Sequence, residues 1–147
     1  MPEMSYELRP VGLVRSPLTH LEQAPMQGSE GAPDAWLELE QAVLHGLDGL
    51  AVGDEIVVIT WLHRAQRETL KVHPRGDKTK PLTGVFATRS PDRPNPLGLH
   101  PVRVLAIDGN RVKVGPLEAV DGTPVVDIKP VLAGARQAGW ADGPGAH

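Results

Sequence analysis

The stretch LHPVRVLAIDGNRVKVGPLEA, Leu99–Ala119, decides the fold class. Two runs rich in valine and isoleucine, LHPVRVLAI and RVKVGPLEA, flank Asp108-Gly109-Asn110. Apolar, β-branched runs around a short Gly/Asn/Asp turn read as a β-hairpin. More strands follow on either side. TPVVDIKPV (123–131) and GVFAT (84–88) read as strands, and DEIVVITWLH (54–63) as a buried one, being mostly apolar and β-branched. AWLELE (35–40) alternates, with Ala35, Leu37 and Leu39 on one side, and LRPVGLVRSP (8–17) alternates too. Only QAVLHGLDGL (41–50) reads as a helix, on the apolar stripe Val43, Leu44 and Leu47, with Gly49 suited to its end. Six or seven short strands with one short helix predict an all-β fold, a small barrel or sandwich. One domain over 7–132 is expected, then a loose Gly/Ala-rich tail over 133–147. The strand–helix alternation of a doubly wound sheet is missing, as are G-x-G-x-x-G and G-x-x-x-x-G-K-[ST].

The chain has 147 residues, 40% of them hydrophobic and none of them cysteine. Disulfides, thiolate nucleophiles and thiolate metal sites are thereby excluded. No run is long enough to cross a membrane as a helix. The opening MPEMSYELRP lacks a basic start followed by an apolar run, so no secretory leader and a cytoplasmic location are expected. Charge is uneven: net −8 over residues 1–60, +7 over 61–113 and −2 beyond. The central block suits a polyanion such as RNA, or is a solvated face balanced across the fold.

The six histidines form neither H-x-x-x-H nor H-x-H, so no metal site is expected. His63 ends the buried strand and is either an active-site residue or a cap. Ser16 and Ser90 precede prolines as turn residues, and no G-x-S-x-G occurs.

Two segments carry chemistry. FATRSPDRPNPLGL (86–99) places Arg89 and Arg93 on a loop stiffened by Pro91, Pro94 and Pro96. A rigid guanidinium grips carboxylates, phosphates and planar bases, and a stiff loop loses little entropy on binding. Equally, the arginines clamp the loop to the barrel. DGTPVVDIKP (121–130) opens on a tight Asp121-Gly122 turn, and alternation sets Asp127 and Lys129 on one face with Ile128 on the other. That pair is either functional or an ordinary ion pair over a core strand.

GVFATRSPDRPNPLGL, DGTPVVDIKP, PVGLVRSPL and APMQG together resemble the TsaA-like (YaeB/VirR, UPF0066-type) domain family, over roughly residues 10–130. The resemblance implies a homodimeric β-barrel that binds S-adenosylmethionine. It also implies N6-methylation of threonylcarbamoyladenosine beside the anticodon of certain tRNAs. Carried over, the donor-binding positions are Pro25, Met26 and Gln27, then His63, Arg64, Arg89 and Leu99, and then Leu117, Glu118, Ala119, Val120, Asp121, Gly122 and Thr123. Asp121 or Asp127 is the expected base, because a ureido-like nitrogen must shed a proton to accept a methyl group. Arg93, Asn95, Lys129 and the basic 61–80 region are expected to meet tRNA. The chain departs from the family pattern at Met26 (arginine there), Glu118 (aspartate), His100 (serine) and Val131 (tyrosine). A non-catalytic S-adenosylmethionine sensor and a plain RNA-binding barrel are the alternatives. Only 3% of residues are aromatic, which counts against base stacking as the main function.

Overall fold

The computed structural model describes residues 3–20 and 31–132. Its strands are β1 (Gly12–Arg15), β2 (Ala35–Leu39), β3 (Glu55–Trp61), β4 (Lys71–Val72), β5 (Thr83–Gly84), β6 (Leu97–Asp108), β7 (Arg111–Gly115) and β8 (Pro124–Pro130). Six of them close an antiparallel barrel in the order β1-β2-β7-β6-β3-β8, and β4 and β5 pair separately. The expected all-β barrel is what forms. Period-2 alternation fills it: Val14, Leu37, Ile56, Val58, Val104, Val112, Val114 and Val125 are wholly buried. The outward residues of the same strands are mostly polar or half-exposed.

The hairpin turns on two residues. Asp108 pairs with Arg111, and Gly109 at the first central position has φ 60°, as a II′-like turn requires. Asn110 then ties the hairpin to β2, its Nδ2 donating to the Leu39 carbonyl at 2.9 Å. Twelve-residue β6 is shared: its first half pairs with β3, its second with β7, and the register shifts between Val104 and Ala106. Such an irregularity bends a strand, which lets β6 turn the barrel corner. A second shift, where Ile59 faces Asp127 but Thr60 faces Val125, bulges β8 at Val126.

Two local readings change. Gln41–Leu47 is helical but wound as a 3-10 helix, with Val43, Leu47 and Leu50 packed against the core and Gly49 at φ 94° just past its end. GVFAT is not a strand. Only Thr83–Gly84 pairs, and Val85–Ala87 forms a 3-10 turn that sinks Val85 to 1% exposure. The cause is the loop that follows, which pulls on the Val85 carbonyl. The expected tail over 133–147 and the Pro25-Met26-Gln27 element lie outside the described residues.

Candidate functional site at one mouth of the barrel

Strand register brings the two chemistry-bearing segments to the same end of the barrel. Trp61 pairs with Leu97, and Thr60 pairs with Val125, so the ends of the 62–96 excursion border the Asp121–Pro124 turn. The excursion closes on itself where the Leu62 amide donates to the Pro96 carbonyl at 2.8 Å.

Proline removes donors from the Pro-rich loop, and side chains replace them. Arg93 does most of this. Its Nη1 donates to the carbonyls of Thr88 (3.0 Å) and Ser90 (2.9 Å), and its Nη2 to that of Val85 (3.0 Å). Arg67 donates from Nε to the Pro94 carbonyl (2.7 Å) and from Nη2 to Asn95 Oδ1 (3.2 Å), and lies 5.1 Å from the Trp61 ring centre. The Gln66 amide donates to Asp92 Oδ1 at 2.8 Å. The paired arginines therefore divide their roles. Arg93 takes the clamping alternative, and Asn95 shares its side chain with Arg67. Arg89 stays exposed and, among the described residues, unpartnered, beside Phe86, Ala87 and Thr88 on an open depression of about 370 Å³.

The second wall is the segment 117–123. Leu117, Ala119, Val120 and Thr123 are buried, and Thr123 Oγ1 donates to the Val120 carbonyl at 2.7 Å. The segment is pinned by the Leu117 amide on Pro33 O, the Asp121 amide on Leu18 O and the Gly122 amide on Val14 O. Between the pins, the amides of Glu118, Ala119 and Val120 meet no acceptor among the described residues. Asp121 Oδ1 accepts from the Ser16 amide at 3.0 Å. Gly122 takes φ 84° in the turn.

Asp127 and Lys129 share the outer face of β8, as expected, with Ile128 packed inward. Asp127 Oδ1 accepts from the Ile128 amide at 2.8 Å. Across the sheet, Asp127 faces Ile59, and Ile59 faces Leu99, which is 46% exposed. His63 and Arg64 occupy an exposed turn beyond Trp61.

One group escaped the sequence reading. His100 and Thr60 point into the barrel, 4% and 0% exposed, with His100 Nε2 2.7 Å from Thr60 Oγ1. On the other side, His100 Nδ1 contacts Glu118 Oε1. A carboxylate only accepts, so in the neutral ring Nδ1 carries the proton and Nε2 receives the Thr60 hydroxyl. The signal was alternation: Gly98, His100, Val102 and Val104 form the inward row of β6. Gly98 is part of this arrangement, since a Cβ there would lie 2.5 Å from Thr60 Oγ1 and 2.6 Å from His100 Nε2. Gly98→Ala is therefore expected to lower the melting temperature and push the His100 ring off its partners, visible as a shifted imidazole resonance.

The basic excursion carries Arg64, Arg67, Lys71, Arg75, Lys78 and Lys80. Hydrogen bonds from the Thr79 hydroxyl and amide to Asp77, aided by nearby Lys80 and His73, hold that carboxyl below the usual carboxylate range.

The family model described as the tRNA-methyltransferase O N-terminal domain matches residues 13–135. The chain belongs to that family. A Methanothermobacter thermautotrophicus protein described as a probable S-adenosyl-L-methionine-binding protein is 44% identical over 130 residues, 88% of this chain and 93% of that protein. An Archaeoglobus fulgidus S-adenosyl-L-methionine-binding protein is 40% identical over 122 residues, 83% of this chain and 86% of its own length. Among solved structures, TrmO from Pseudomonas aeruginosa superposes with a TM-score of 0.72 at 28% identity, over 96% of this chain and 61% of that one. This chain thus spans about three-fifths of the solved TrmO chain and nearly all of its archaeal relative. Both segments that form the mouth, 85–96 and 117–123, lie within the residues matched by the tRNA-methyltransferase O N-terminal domain family.

Proposed function

We propose that this protein is an S-adenosylmethionine-dependent tRNA methyltransferase that methylates N6 of threonylcarbamoyladenosine next to the anticodon. The observation that carries the reading is the convergence of the clamped 85–96 loop and the 117–123 segment on one mouth. The residues there fit the donor. The amides at 118–120, which meet no acceptor among the described residues, suit the polar edges of a nucleoside, and the exposed Arg89 guanidinium, unpartnered among the same residues, suits an amino-acid carboxylate. Leu99 and Phe86, the latter 82% exposed, offer apolar cover for a base. Once bound, the donor supplies an electrophilic methyl group on a sulfur that departs as a neutral thioether. The rest falls to the protein. The clamped loop and pinned segment hold the reactants in line, where positioning supplies much of the rate. Asp121 takes the proton of the acceptor nitrogen, and Asp127 is the second candidate. Asp121 sits within the pinned turn, whereas Asp127 lies three strand positions below Pro124 on the outer face.

Asp121→Asn preserves the acceptor for the Ser16 amide and removes only the charge. It is expected to keep donor binding and to lower single-turnover methyl transfer about 10²-fold, the scale of a lost general base. Asp127→Asn is expected to cost less than Asp121→Asn. Full turnover in both variants would remove the aspartates from the chemistry. Lys129 and the basic excursion bind tRNA phosphates, and the clamped loop presents Arg93 and Asn95 to the RNA as part of its shape. Replacing Lys78 and Lys80 together by alanine is expected to reduce the salt dependence of tRNA binding by about two counterions' worth of slope, at unchanged donor affinity.

The decisive experiment incubates the protein with radiolabelled donor and bulk tRNA from cells lacking the activity. Label in threonylcarbamoyladenosine supports the reading, label elsewhere reassigns the acceptor, and donor binding without transfer makes the protein a sensor. Exposed Leu97 beside the mouth supports a homodimer in which a partner covers it, and a tRNA substrate implies a cytoplasmic location. Light scattering at working concentration tests the dimer.

A further inference from the structure

The proposed function leaves the buried Thr60–His100–Glu118 chain without a task. It links three elements: β3, β6 and the segment that follows β7. Thr60 is wholly buried within the barrel, so its hydroxyl cannot reach a substrate, and a nucleophilic triad is excluded. Glu118 differs from its neighbours. Its side chain is 17% exposed at the mouth, while Leu117 and Ala119 on either side sit in the core.

We infer that Glu118, His100 and Thr60 form a positioning relay for donor binding. Glu118 fixes the stretch at 118–119 by reaching inward to the His100 ring. Thr60 and the missing side chain at Gly98 set the orientation of that ring. The backbone amide pins lie at Leu117 and at Asp121, and Thr123 holds the Val120 carbonyl, so at 118–119 the Glu118 side chain is the hydrogen-bonded tie among the described residues. Without it, the Glu118 and Ala119 amides lose the side-chain bond that aims them, and a ligand must order them as it binds. His100 is then a positioning residue two steps from the ligand. Its length matters because it spans the gap from the inner row of β6 to Glu118.

The inference rests on the donor-binding reading of 117–123, and the test separates the two. Calorimetry with S-adenosylmethionine is run on the wild type, Glu118→Ala and Glu118→Gln, with thermal melts of each without ligand. A wild type that takes up no donor defeats the proposed function itself. If the wild type binds, Glu118→Ala is expected to weaken affinity about tenfold or more, because the tie is gone. Glu118→Gln is expected to stay within about threefold. A glutamine amide can donate to Nδ1 while the ring switches tautomer and gives its Nε2 proton to Thr60 Oγ1, so the chain of contacts survives without charge. Donor affinity within about twofold of wild type in Glu118→Ala overturns the relay. Equal loss in Glu118→Gln and Glu118→Ala also overturns it, since the carboxylate charge would then be acting directly on the ligand. His100→Ala, which removes both contacts, is the check on the second step. It is expected to weaken binding as Glu118→Ala does, and binding unchanged from wild type in a folded variant would overturn the relay too.

Discussion

Arg93→Ala is expected to cost about 10²-fold in methyl transfer while leaving the barrel folded. The guanidinium joins three carbonyls, those of Val85, Thr88 and Ser90, that would otherwise face different directions. Each bond is charge-assisted, but the residue is only half-buried, and water can satisfy the freed carbonyls. The stability change is therefore modest, about 1–2 kcal/mol. The functional change is larger, because the loop carries Arg89, and misplacing a reacting group by about 1 Å can cost about 10²-fold. Arg93→Lys is expected to rescue little, since one ammonium cannot reproduce a planar fork that reaches three acceptors. Single-turnover kinetics and amide exchange over 85–96 check both halves. Turnover within about threefold of wild type in Arg93→Ala would remove the clamp from the mechanism.

Gly12→Ala is expected to be the most destabilising small change in the barrel. Gly12 pairs with Leu39 where β1 and β2 approach closely. A Cβ there would lie 2.8 Å from Leu39 Cδ2 and closer still to the Glu38 carbonyl oxygen. A carbonyl inside a ladder cannot swing aside, so the strands must part. The upper end of the overpacking range, about 3 kcal/mol, is expected, or a fall of roughly 10 °C in melting temperature. Gly115→Ala makes a useful contrast. Its Cβ would meet mainly the side chain of exposed Asp34, which can rotate away, so its cost should be the smaller. Gly46→Ala meets nothing within 4 Å, and its melting point should be unchanged or slightly raised. Equal melting points for Gly12→Ala and Gly46→Ala would contradict the close approach.

The strands were legible wherever one face had to be buried. Ala35, Leu37 and Leu39 alternate because the barrel interior demands it, and the turn at Gly109 followed from residue chemistry alone. GVFAT was misread because local preference favours a strand there, while Arg93, five residues past Thr88, imposes a turn. No local pattern announces that capture. The same holds for Arg89 and Arg93, whose spacing gave no hint of which would clamp and which would stay free. His100 was recoverable from alternation along β6, yet its partner Glu118 was not, being 18 positions away on a segment without a ladder. The convergence of the two motif segments rests on the order β6-β3-β8, a long-range pairing that periodicity cannot supply.

The bond between Leu62 and Pro96 gives the 62–96 excursion a stem of fixed width. Its two ends leave and rejoin neighbouring barrel strands at one point, so its length and contents do not alter how the cylinder closes. A different stretch could be grafted over residues 63–84 while the clamped 85–96 loop and the 117–123 wall stay as they are. If the proposed function holds, a chimera that swaps only residues 63–84 between two relatives should change acceptor preference while donor binding stays the same.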